Sequence, residues 1–160
     1  MSRAWVPPIL IAALAAALVA FMGATITDLD GWYRTLEQPN WSPPDYMYGM
    51  AWTAIYALIA LAAVSAWRRA PTTQASDMLI GLFALNGFLN ILWSLLFFRV
   101  QRPDWALIEL VALWISIAVL IVVCNRYSKI AALLLVPYLA WVTFAGVLNW
   151  QVIQLNAPFG

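Results

Sequence analysis

With 160 residues, 65% of them hydrophobic and 9% charged, and a mean hydropathy of +0.85, the chain lies far outside the composition of water-soluble domains and reads as an integral membrane protein. A span takes about 20 apolar residues at 1.5 Å each, so five spans use most of the length and leave no room for a soluble domain. A net charge of +1 without a basic block argues against nucleic acid, one cysteine excludes an intrachain disulfide or cysteine cluster, and the lack of histidine removes the commonest ligand of haem iron, zinc and copper; no metal site and no obligatory cofactor is expected.

The first predicted helix covers residues 5–27. Arg3 ahead of an apolar run imitates a signal peptide, but the run from Trp5 to Ala24 is longer than the usual core of about 7–15 residues and is read as a span. Ala12, Ala16, Ala20 and Ala24 recur every four residues, a small-residue stripe that lets helices approach closely.

Residues 28–45 form the long connection. The stretch from Gly31 to Tyr56, GWYRTLEQPNWSPPDYMYGMAWTAIY, carries Trp32, Tyr33, Trp41, Tyr46, Tyr48 and Trp52. Disordered segments are depleted in aromatics, and long connections are disordered or functional, so this one is read as an ordered lid over a ligand site. Four further helices are predicted at 46–67, 77–98, 105–124 and 129–153, joined by short connections that make sequential helices antiparallel neighbours. The expected architecture is all-α, a single membrane domain of five transmembrane helices with a long ordered first loop.

Arg3, Arg68, Arg69, Arg126 and Lys129 lie on one side, against Arg34, Arg99 and Arg102 on the other. The positive-inside rule then places the amino terminus in the cytoplasm and the first loop outside. Trp5, Trp67, Trp105 and Trp150 fall near span ends, where indoles favour the headgroup layer.

Polar residues inside spans face a bundle interior or a cavity. In the third span Asn86, Asn90 and Ser94 recur every four residues with Trp93 beside them; the second offers Trp52 and Tyr56; the fifth offers Pro137, Trp141, Ala145 and Asn149. Trp52 and Asn90 each lie about 10–12 Å below the loop side at 1.5 Å per residue. Three stripes at comparable depth describe an aromatic cavity with a few convergent polar groups, the usual form of a small-molecule site. Two readings of the individual residues stay open: the asparagines serve a ligand, or they bond between helices while the tryptophans fill the core. Glu109, the one acid well inside a span, is read as structural or solvated, or paired with Arg99 or Arg102.

The motifs Trp32-Tyr33, Pro39-Asn40-Trp41-Ser42-Pro43-Pro44 and Gly49-Met50-Ala51-Trp52-Thr53, the third-span run from Asn86 to Phe98 and the fifth-span Pro137-Tyr138-Leu139-Ala140-Trp141 resemble, in order and spacing, the family of tryptophan-rich sensory proteins and mitochondrial translocator proteins, also called peripheral-type benzodiazepine receptors. The resemblance covers nearly the whole chain. It implies a homodimeric five-helix bundle in a membrane, here a bacterial cell membrane, that binds porphyrins such as protoporphyrin IX. Carried over by motif, the pocket would include Tyr33, Trp52, Asn90, Trp93, Ser94, Trp141 and Ala145, with Pro43 and Pro44 shaping its lid; Tyr56, Asn86 and Asn149 join it from the stripes. Arg34 is the candidate partner of a porphyrin propionate, its alternative being a solvated loop charge. Animal members carry an aromatic followed by a basic residue late in the fifth helix, and the run from Leu148 to Gln154 has no basic residue, so sterol binding is not expected.

The leading reading is therefore a membrane receptor or sensor for tetrapyrroles and related hydrophobic ligands. The alternatives are an enzyme that degrades porphyrin oxidatively, which no nucleophile–base pair or metal cluster compels, and a transporter of tetrapyrroles or lipidic metabolites, against which stand scarce intramembrane charge and the lack of an internal repeat.

Overall fold

The computed structural model describes residues 6–160; Arg3 and Trp5, used above for orientation and for the interface belt, lie outside the described residues. The elements in order are α1 (Val6–Ile26), the one-turn α2 (Trp32–Thr35), α3 (Asp45–Trp67), α4 (Thr73–Ser94) running into a π-helical turn (Leu95–Arg99), α5 (Pro103–Tyr127) and α6 (Lys129–Asn156). Five of these are long and apolar enough to cross a membrane, and the protein is a five-span integral membrane protein. In lipid every backbone group must be satisfied within its own segment, and helices do this.

Several helix ends differ from the sequence expectation for local reasons. The third span starts at Thr73, not 77, because the Thr72 side chain accepts from the Ala75 N–H at 3.1 Å and caps the helix there. The fourth starts at Pro103, whose fixed φ and missing N–H suit a first helical turn, and it continues to Tyr127. Only Ser128 separates it from the fifth span. That residue is extended, and its hydroxyl accepts from the Ala131 N–H at 3.2 Å and from the Arg69 guanidinium at 3.1 Å.

α5 and α6 form the spine. Most of their buried positions step by three and four: Pro103, Ala106, Leu110, Leu113, Ile117, Leu120 and Cys124 on α5; Ala131, Leu135, Tyr138, Val142 and, one step on past Gly146, Asn149 and Val152 on α6. That 3.5-residue period is the seam of a left-handed helix pair. Gly146 permits the closest approach, since a Cβ there would lie 3.0 Å from a Leu110 methyl. At the loop end the Asn149 side chain bridges the seam, its amide nitrogen donating to the Pro103 carbonyl at 3.2 Å and its oxygen accepting from the Leu107 N–H at 3.1 Å.

α3 and α4 pack onto this spine. α1 has no buried residue and lies against α3 and α4 by its inner face alone. Trp105 and Trp150 are about half exposed on the outside of the bundle, as suits headgroup-level indoles.

Candidate functional site

Beneath the first loop the inner faces of α1, α3, α4 and α6 enclose a cavity of about 500 Å³, within the usual range of about 300–1,000 Å³ for small-molecule sites. Each wall follows from its sequence. α1 contributes Ala20, Gly23 and Ala24, and Thr27 follows just past its end, small groups that leave room: a Cβ on Gly23 would stand in van der Waals contact with the Tyr56 hydroxyl at 3.8 Å. α3 contributes Tyr48, Gly49, Trp52 and Tyr56, α4 contributes Asn90, Trp93 and Ser94, and α6 contributes Trp141, Ala145 and Asn149. The π turn that ends α4 adds one residue to its last turn, closed by the Val100 N–H on the Leu95 carbonyl at 2.9 Å, and Phe97 and Phe98 both reach the cavity.

The aromatic wall is self-supporting. Tyr56 stacks on Trp52 at 5.5 Å and 28°, Trp52 meets Trp141 edge-on at 6.4 Å and 88°, and Trp93 leans on Phe97 at 5.3 Å. Such pairs hold rings in fixed orientations. The indole N–H groups of Trp93 and Trp141 and the Gln38 amide nitrogen are shielded and have no acceptor among the described residues.

A chain of hydrogen bonds floors the cavity. Tyr56 donates to the Asn90 oxygen at 2.8 Å, the Asn90 amide to the Tyr138 hydroxyl at 3.1 Å, Tyr138 to the Asn86 oxygen at 3.1 Å, the Asn86 amide to Ser116 at 2.9 Å, and Ser116 to the Leu113 carbonyl at 2.7 Å. Four helices are joined in one unbroken sequence of donors and acceptors, so no side chain in it is left unpaired in the hydrocarbon.

The lid is pinned on several sides. Trp32 sits edge-on to Phe97 at 6.0 Å, Tyr33 packs on Phe98 at 5.7 Å, and Trp41 on Phe144 at 5.8 Å. Asn156 at the end of α6 holds both backbone groups of Glu37, and Arg34 pairs with Asp45 at 2.9 Å. Burial, reinforced by the Asp45 carboxylate, pushes the Tyr33 phenol above its ordinary value of 10; the Tyr48 hydroxyl and Arg34 act the other way.

Of the residues singled out from sequence, the structure brings Tyr33, Trp52, Tyr56, Asn90, Trp93, Ser94, Trp141, Ala145 and Asn149 around this one cavity. Asn86, Pro43, Pro44 and Arg34 do not line it. Asn86 lies below the floor, a turn deeper than Asn90 and turned to α5; Arg34 is occupied outside the mouth by Asp45, with Asp30 at 3.7 Å. Glu109 is neither solvated nor paired with an arginine: it is buried with neither carboxyl oxygen bonded among the described residues, while Arg102 is held by Asp104 and lies 4.3 Å over Trp105 and Arg99 donates to the Thr25 carbonyl at 2.6 Å. Sequence reasoning missed the α1 wall, whose alanines signalled only close packing, and Tyr138, whose hydroxyl is the centre of the floor although its neighbour Pro137 had been placed on the stripe.

Comparison with known proteins adds an independent line. The sequence model of the TspO/MBR family matches residues 9–155. The chain is 40% identical over 144 residues to the tryptophan-rich protein TspO of Chlorobaculum tepidum, covering 86% of this chain and 89% of that one. It is 33% identical over 127 residues to the tryptophan-rich sensory protein of Cereibacter sphaeroides, with 79% and 78% covered, and 33% identical over 159 residues to the translocator protein of Bos taurus, with 98% and 94% covered.

Proposed function

Because the chain belongs to the TspO/MBR family, we propose that it is a membrane receptor or sensor whose loop-side cavity takes up a tetrapyrrole of the protoporphyrin IX type, or a related flat hydrophobic ligand. The observation that carries this reading is the convergence of Trp52, Trp93 and Trp141, from three different helices, on one cavity. A flat macrocycle gains both apolar burial and ring contacts against such walls. Asn90 and Ser94, polar residues of the same lining, would meet its polar edge.

The floor favours a receptor over a conduit. Tyr56, Asn90 and Tyr138 are bonded to one another across the cavity's deep end, so a ligand entering under the lid meets a closed wall near mid-membrane. Occupancy is then readable at the lid, whose contacts to Phe97, Phe98 and Phe144 are made by the same aromatic lining. A sensory role also accords with the name of the Cereibacter sphaeroides relative.

Protoporphyrin quenching of tryptophan fluorescence in the purified protein tests the site. The Trp52→Ala, Trp141→Ala double variant should bind at least about tenfold more weakly, or about 1.4 kcal/mol. Titration curves that overlay those of the parent protein would remove this cavity as the site.

A further inference from the structure

Below the floor lies a second cavity of about 710 Å³, almost wholly apolar. α1 touches α4 at Val19, where a Cβ on Gly87 would stand 3.3 Å from a valine methyl; on the side away from the lid the two helices leave a gap. The inner wall is built of small residues, among them Ala12, Ala16, Ala60 and Ala63, and the rim includes Ile11, Ile80 and Phe88, each more than half exposed on the outside of the bundle. The deep end is closed by Tyr56, Asn86, Asn90 and Tyr138, of which Tyr56 and Asn90 also line the upper cavity, and the outer end by Trp67.

We propose that this cavity holds one acyl chain of a membrane phospholipid, entering sideways between α1 and α4. Three observations select that occupant. The mouth opens through apolar residues exposed on the outside of the bundle within the lengths of two spans, so what reaches it in a membrane is hydrocarbon and not water. From Pro7 to Val19 the lining covers about 18 Å at 1.5 Å per residue, close to half of a hydrocarbon core about 30 Å thick and so the depth of one leaflet's chain. At the outer end the lining stops at Trp67, followed directly by Arg68 and Arg69, an indole and two cations at the level where a phosphate headgroup sits. The chain's end would lie against the hydrogen-bonded floor, one side chain away from the upper cavity.

The test uses the full-length protein in phosphatidylglycerol–phosphatidylcholine vesicles doped with a phospholipid carrying a photoactivatable diazirine midway along one chain, with adducts mapped by peptide mass spectrometry. The proposal expects adducts on residues 12–19, 60–67 and 80–87 at least fivefold above those on the outward face of α5 at Ile108, Ile115 and Val122. In Ala16→Phe, which fills the cavity, labelling of Ile80 and Phe83 should fall at least fivefold while labelling of α5 and porphyrin titration stay as in the parent. Uniform labelling around the bundle overturns the proposal, as do chain-to-chain cross-links at the same residues, which would mark a second copy as the occupant. Should Ala16→Phe fail to fold, the parent protein's adduct map decides by itself. Porphyrin titration reads the upper cavity alone, so failure there leaves this result standing.

Discussion

The side-chain amide of Asn156 grips Glu37 from both directions: its oxygen accepts from the Glu37 N–H at 2.8 Å and its nitrogen donates to the Glu37 carbonyl at 2.9 Å. These residues lie 119 positions apart, so the end of the last helix fixes the middle of the first loop. Each such bond contributes about 1 kcal/mol net. In Asn156→Ala the lid should open more readily by about 1–2 kcal/mol, and amide exchange across residues 32–44 should speed roughly tenfold. Exchange in α5 should not change. Equal protection of the lid in both proteins would show that its aromatic contacts suffice.

Tyr138 is the node of the floor, accepting from Asn90 and donating to Asn86 with no exposed surface of its own. Tyr138→Phe keeps the ring and leaves the Asn90 amide nitrogen and the Asn86 oxygen unpaired, while their bonds to Tyr56 and Ser116 remain. Interhelical hydrogen bonds in membranes average about 0.6 kcal/mol, and two bonds lost with two buried groups left unpaired should cost about 1–2 kcal/mol. Ser116→Ala, at the end of the chain, should cost about half as much. Thermal unfolding in one detergent orders the pair, and an equal or reversed order would mean that the floor does not act as a connected unit.

How far the sequence reaches is visible at these positions. The spans follow from apolar runs that lipid forces into helices, and the three cavity-lining stripes follow from four-residue recurrence of polar and aromatic groups. Asn86 and Asn90 illustrate the limit: one helical face carries both, and only the placement of Tyr138 and Ser116 on neighbouring helices puts a floor between them. The α1 wall was not legible because alanine and glycine mark a close approach without saying whether a helix or a cavity lies opposite. Arg34 could not be assigned from the chain alone, since its nearest acid, Asp45, reaches it only through the fold of the lid.

The pair formed by Arg34 and Asp45 leads to a prediction about charge at the mouth. Asp45 lines the cavity and holds the Arg34 guanidinium at 2.9 Å, with their side chains 37% and 61% exposed. An anionic ligand entering here meets a carboxylate whose counter-ion is already committed. Asp45→Asn removes the repulsion and leaves Arg34 only the longer pairing with Asp30 at 3.7 Å. Exposed pairs are worth about 0.2–1 kcal/mol, so a dicarboxylate porphyrin should bind about 1.4- to fivefold more tightly, while its dimethyl ester should bind as before. The ester is the control: a gain for both ligands would trace the effect to lid motion rather than charge.

Glu109 presents the opposite situation, a carboxyl among buried groups with no partner for either oxygen among the described residues. It lies beside the seam positions Ala106, Leu110 and Leu113 of α5 and does not line the loop-side cavity. An unsatisfied buried polar group costs about 1–3 kcal/mol relative to an apolar group of similar shape. Glu109→Leu should therefore raise the thermal unfolding midpoint and leave porphyrin titration unchanged, whereas Leu110→Ala, which cuts into the packed seam, should lower stability by about 2–4 kcal/mol. A Glu109→Leu protein less stable than the parent would show that the carboxylate has a partner in the membrane-embedded molecule, such as a second copy or a headgroup, and would redirect attention to that face of α5.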